Sequence, residues 1–162
     1  MTAMAPHRAE PDLSYLLDRA GHLLRTRMAA ALAEIGLTAR MHCVLVHALE
    51  GERTQIQLAE LGDIDKTSMV VTVDALETAG LAVRRPSSTD RRARIIAVTD
   101  EGAKVARRSQ QIVDRVHREV LGVLSERDRA VLVRAMNRML TDGFGTAPAD
   151  QPPVRRVRQP TN

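Results

Sequence analysis

The chain has 162 residues, 44% hydrophobic and 27% charged, which suits one domain with one main core and some additional helices. Tyr15 and Phe144 are its only aromatic residues, so the core must be aliphatic, and binding of single-stranded nucleic acid by stacking bases on aromatic rings is disfavoured. One cysteine, Cys43, excludes an internal disulfide framework and a multi-cysteine zinc site, and the formal charge is +4.

The opening MTAMAPHRAEPDLS lacks the apolar core of a signal peptide and no later run approaches the length of a membrane span, so the expected location is the cytoplasm, with no membrane partner. Residues 1–11 read as a flexible tail. From Leu13 to Ile35 apolar residues recur at three- and four-residue steps, which predicts one long amphipathic helix closed by Gly36. Thr38 is placed to cap a second helix that runs to about Leu49, with Gly51 beyond its end. Thr54 and Gln57 form a capping-box pattern ahead of a short helix, Ile56 to Leu61. A turn at Gly62 and Asp63 then leads to Asp65, an N-cap for a helix reaching Ala79 and stopped by Gly80.

After Gly80 the pattern changes. LAVRRP and ARIIAV read as strands around the turn SSTDRR, and together they predict a hairpin. Thr99 caps a fifth helix and Ser125, with Asp128 three residues on, starts a sixth whose apolar side is Val131, Leu132, Ala135, Met136 and Met139. Residues 141–162, rich in Pro, Gly and polar groups, read as a second tail. Residues 84–94 hold Arg84, Arg85, Arg91, Arg92 and Arg94 against Asp90, so this stretch alone matches the net +4 of the chain.

Two short helices joined by a tight turn and followed by a basic hairpin make a winged helix-turn-helix. The fold class expected is therefore mainly α with a small β-hairpin wing. A helix fits the major groove of duplex DNA, while a hairpin beside it can straddle phosphates and push an arginine into the minor groove. The competing reading is a helical protein-interaction module whose basic hairpin meets an acidic partner.

The segments GLTARMHCVLVHAL, TQIQLAELGDIDKTSMVVTVDALETAGL and above all RRPSSTDRRARIIAVTDEG resemble the MarR family of regulators over about residues 12–140, with Asp90, Arg92, Val98, Thr99 and Gly102 falling on the family's wing pattern. The resemblance implies a homodimeric DNA-binding regulator without catalytic activity or cofactor. Residues 37–99 would be the winged helix-turn-helix domain, and 12–36 with 100–140 the dimerisation helices. Its partner would be a pseudo-palindromic double-stranded operator, with half-sites about one helical turn apart. The helix from Asp65 to Ala79 would enter the major groove, with Arg92 at the minor groove and Asp90 orienting it, serving the ordinary turn chemistry that Asp favours, or both. Met69, Val73 and Leu76 repeat at core spacing, which leaves Lys66, Thr67, Ser68, Val70 and Val71 nearest the groove. Residues 54–80 carry Lys66 against Glu60, Asp63, Asp65, Asp74 and Glu77, a net −4, so phosphate affinity is expected from Arg84, Arg85, Arg91, Arg92 and Arg94 of the wing and from Arg40 and Arg53.

Family members often act as repressors that a small aromatic or anionic effector releases from DNA. The matching pocket here would include Tyr15, His22, Met41, His42 and Val46. A regulator with no effector, or one under redox control through Cys43, is the alternative within DNA binding. His42 and His47 are five apart and do not share a helix face, and the other histidines are scattered, so no metal site is expected.

Overall fold

The computed structural model describes residues 12–90 and 92–143. Its elements follow the predicted order: α1 (Leu13–Ala33), α2 (Ala39–Leu49), α3 (Gln55–Leu61), α4 (Lys66–Thr78), β1 (Ala82–Pro86), β2 (Arg94–Val98), α5 (Asp100–Leu121) and α6 (Glu126–Arg138). Each helix start is chemically marked. Asp12, Thr38, Asp65 and Ser125 accept the backbone N–H three residues on, and Thr54 with Gln57 forms the complete reciprocal box. Thr99 does the same for α5, accepting the Gly102 N–H at 3.0 Å.

The chain divides into two compact units between Val120 and Leu121. In the first, α2, α3, α4, the hairpin and α5 share one core in which Leu45, Leu58, Met69, Val73, Leu76 and Ile96 are almost fully buried. Burying an aliphatic side chain of this size contributes about 1.5–3 kcal/mol, so six of them dominate the local stability. Val113 and Ala106 bring α5 into the same core. Only the last turns of α1 join it: Ala31 and Leu32 are buried, whereas Leu13, Tyr15, Leu16 and Leu23 are exposed.

In the second unit, α6 buries no residue, and Val131, Leu132 and Val133 are exposed. A π-helical turn, Met139–Gly143, extends beyond it, so helical structure continues past residue 140, where the sequence pattern ended it.

The hairpin pairs Ala82 with Val98 through Pro86 with Arg94, antiparallel. A third short edge is added by the α2–α3 loop, where Thr54 bridges Ile95 and the Arg53 carbonyl accepts the Ile96 N–H at 3.0 Å. The hairpin base and the start of α5 are locked to the end of α4. Thr99 N–H donates to the Leu81 carbonyl (3.0 Å) and its hydroxyl to the Gly80 carbonyl (2.8 Å). Gly80 there has φ +69°, a left-handed conformation that glycine adopts without steric cost.

Candidate nucleic-acid interface

Helix α3, the turn at residues 62–64 and helix α4 form the helix-turn-helix. Asp63 takes φ 48° in the turn, which Asp tolerates better than most residues, and the Ile64 N–H closes it on the Ala59 carbonyl at 2.9 Å. The turn is tight against α2: a Cβ on Gly62 would lie 2.9 Å from Cys43 Sγ. Met69, Val73 and Leu76 are buried to the last atom, as their spacing predicts. The opposite face presents Lys66, Thr67, Val70 and Val71 to solvent, with Ser68 half-buried beside them. Val71 is 64% exposed.

Asp65, at the N-terminus of α4, is held below the usual carboxylate range by its hydrogen bonds to Ser68 and, more weakly, by the positive charge of Arg40. Arg40 is exposed on the first turn of α2. Between these two helix starts lies an open groove of about 460 Å³ lined by Thr38, Arg40, Met41, Thr67, Ser68 and Val71.

Beside α4, the wing arginines divide by partner. Arg84 does not face outward as expected. Its Nη2 donates to Asp74 Oδ1 (2.7 Å) and Gln55 Oε1 (3.3 Å), its Nη1 pairs with Glu77 Oε2, and its backbone N–H donates to Glu77 Oε1 (2.7 Å). The strand that carries it turns position 84 back over α4, where two carboxylates outcompete solvent for the guanidinium. In this structure Arg84 is thus tied to α4, and its charge is set against the acidic side chains of that helix. Two of the five acids in residues 54–80 are offset from the neighbouring strand.

Arg53 is also committed: its Nη2 pairs with Glu50 Oε2 at 3.0 Å, and its Nη1 is buried with no hydrogen-bond partner among the described residues. Arg85 is 59% exposed and only 3.9 Å from a Glu52 oxygen, while Arg92 and Arg94 are exposed. Arg91 lies outside the described residues.

Of the two roles open to Asp90, the turn contact is the one present in the structure. Its carboxylate accepts the backbone N–H of Arg92 at 2.9 Å, and its carbonyl accepts the Ala93 N–H at 3.0 Å. A short side chain two residues away reaches the backbone readily, so Asp90 builds the turn that carries Arg92.

Sequence reasoning passed over Glu52, which hydrogen-bonds the wing from the α2–α3 loop: its Oε2 accepts Ser87 Oγ (2.8 Å) and the Ser88 N–H (3.0 Å). No local pattern marks it, because the contact spans 35 residues of chain.

The residues assigned to an effector pocket lie on α1 and α2. Tyr15 and His22 are exposed on α1, Val46 is half-buried, and of the five only Met41 lines the groove beside α4. His42 instead meets Ser109 of α5 (Nδ1–Oγ 2.8 Å). Ser109 Oγ gives its own proton to the Ala106 carbonyl (2.8 Å), so His42 Nδ1 must donate. Burial, and then the nearby His47, hold His42 below the ordinary imidazole value. Burial pushes the Cys43 thiol up, which disfavours the reactive thiolate that redox control would need. Among the described residues no group of three or more His, Cys, Asp or Glu is placed to hold a metal, and no helix is long and apolar enough to cross a membrane.

Known proteins agree with this architecture. Residues 35–93 match the sequence model of the MarR family. A MarR-family transcriptional regulator from Rhodococcus sp. RHA1 superposes with a TM-score of 0.74 at 26% identity, over 85% of this chain and 99% of that one. CouR from Rhodococcus jostii RHA1, bound to p-coumaroyl-CoA, gives 0.76 at 28% identity over 90% and 100%. The transcriptional repressor CouR bound to a 23-mer DNA duplex gives 0.72 at 28% over 79% and 92%. With its helix-turn-helix, its basic wing and the Thr99–Gly102 joint in place, the chain is similar to the winged helix-turn-helix transcriptional regulators of the MarR family, whose sequence model its residues 35–93 match.

Proposed function

We propose that this DNA-binding regulator is a cytoplasmic homodimeric repressor whose hold on a pseudo-palindromic operator is relieved by a small aromatic or anionic effector. The carrying observation is the pairing of an exposed hydroxyl and valine face on α4 with an arginine-bearing wing braced beside it. Lys66, Thr67, Ser68, Val70 and Val71 would read the major groove, the valine methyl groups packing on thymine methyls and the hydroxyls on base edges. Arg92 would enter the minor groove, with Arg40, Arg85, Arg91 and Arg94 on phosphates. Asp90 would set the wing turn that presents Arg92.

The exposed apolar residues of α1 and α6 support pairing with a second copy, since each helix leaves a stripe that a monomer does not cover. A relative bound to duplex DNA in one structure and to p-coumaroyl-CoA in another supports both the repressor reading and the effector class. The first-helix and second-helix residues Tyr15, His22, Met41, His42 and Val46 remain the proposed effector region, completed by the partner copy.

Fluorescence anisotropy on duplex DNA from upstream of the protein's own gene tests this, run as a salt series against unrelated duplex. Preferred binding that weakens steeply with salt, and more with Arg92→Ala than with Lys66→Ala, is expected. Equal affinity for both duplexes, or the reverse order of the two variants, would defeat the assignment.

A further inference from the structure

Glu52 stands outside every element that touches DNA in the reading above, yet its carboxylate is the far anchor of the wing. It accepts Ser87 Oγ and the Ser88 N–H. With its proton directed at Glu52, Ser87 Oγ accepts the N–H of Thr89 (3.2 Å) and, at longer range, that of Asp90 (3.4 Å). Asp90 in turn holds the Arg92 N–H. A continuous chain of hydrogen bonds therefore runs from the α2–α3 loop through Ser87, which is only 8% exposed, to the turn carrying Arg92. The hairpin needs such an anchor. A two-stranded ribbon is marginal by itself, and beyond the last pair, Pro86 with Arg94, a single Ser87 N–H to Ala93 carbonyl bond continues the ladder. The Ser87 and then the Ser88 hydrogen bonds hold the Glu52 carboxyl below its usual range, so it is ionised at neutral pH.

We propose that Glu52 is a positioning residue for DNA binding, which orders the turn from Ser87 to Arg92 before the duplex arrives. The proposal rests on the wing reading above. It also makes a prediction of sign. Simple electrostatics says that removing a carboxylate next to phosphate-binding arginines tightens binding, whereas loss of preorganisation weakens it.

The test measures operator affinity over a salt series for the full-length wild type, Glu52→Ala, Glu52→Gln, Arg92→Ala and the double variant Glu52→Ala with Arg92→Ala, each checked for native far-UV circular dichroism. Glu52→Ala should weaken binding about tenfold, equivalent to ~1.4 kcal/mol. Glu52→Gln, which keeps an acceptor oxygen, should fall between it and wild type. In the Arg92→Ala background Glu52→Ala should add little, because the residue it positions is gone. A merely structural role would give full additivity, and that result overturns the proposal, as does unchanged or tighter binding by Glu52→Ala while Arg92→Ala weakens it. If Arg92→Ala itself has no effect, the wing reading fails, and the proposal falls with it.

Discussion

Gly102 offers a test in which two physical effects predict opposite signs. It occupies the first turn of α5, where replacing glycine by alanine should stabilise a helix by about 0.5–1 kcal/mol. In the structure, however, a Cβ at this position would lie 1.9 Å from the Leu81 carbonyl oxygen and 2.8 Å from both the Leu81 carbonyl carbon and Val98 Cγ1. Ordinary contact begins near 3.4 Å, so α5 must retreat from the hairpin base by more than an ångström. That movement stretches the Thr99 N–H bond to Leu81 and the Thr99 hydroxyl bond to Gly80, each contributing about 1 kcal/mol, and loosens packing around Leu81 at a cost of about 1 kcal/mol more. After the propensity gain, Gly102→Ala should destabilise by about 2 kcal/mol, or roughly 4–8 °C in Tm for a chain of this size. Thermal and urea unfolding followed at 222 nm would read it. Gly21→Ala in α1 is the matched control, since a Cβ there meets only the flexible end of Arg25, and it should be neutral or slightly stabilising. Equal or greater stability of Gly102→Ala would refute the close approach of α5 to residue 81.

Three further outcomes follow from the same geometry. Arg84→Gln should cost about 1–2 kcal/mol of stability, with the smaller share from the exposed Asp74 arm, and should weaken operator binding without flattening its salt dependence. A slope reduced by about 0.9 would instead place Arg84 on a phosphate. His42 is held below its unfolded value of about 6.5. The unfolded chain therefore binds a proton that the folded one refuses, and stability should fall as pH drops below 6.5, from 7.5 to 5.5 in urea titrations. His42→Asn, which keeps a donor toward Ser109, should lose less over that interval, and an identical loss would exclude His42 as the source. Cys43 should react with a thiol reagent about tenfold or more slowly in the native protein than in urea, with Cys43→Ser retaining operator binding. Fast native labelling or oxidant-sensitive binding lost in the serine variant would restore redox control.

Element order, helix caps and the identity of the core were legible in the linear sequence because each depends on neighbours three or four residues away. Thr38, Thr54, Asp65 and Ser125 mark helix starts through bonds that reach only one turn, and Met69, Val73 and Leu76 declare their burial by spacing alone. The net-negative charge of residues 54–80 was equally visible, but not its compensation, since Arg84 comes from a strand that only the fold lays over α4. Arginines are alike in sequence. Whether one faces phosphate or a carboxylate is decided by which carboxylates lie within about 4 Å once the chain has folded. So Arg84 became an internal tie while Arg92 and Arg94 stayed exposed, and Glu52, unmarked by any local pattern, became the anchor of the wing. Periodicity and capping determined the helices and the hairpin because those signals act along the chain. The division of charge around Arg84 and Glu52 was settled by contacts 7 to 35 residues apart, which no local pattern encodes.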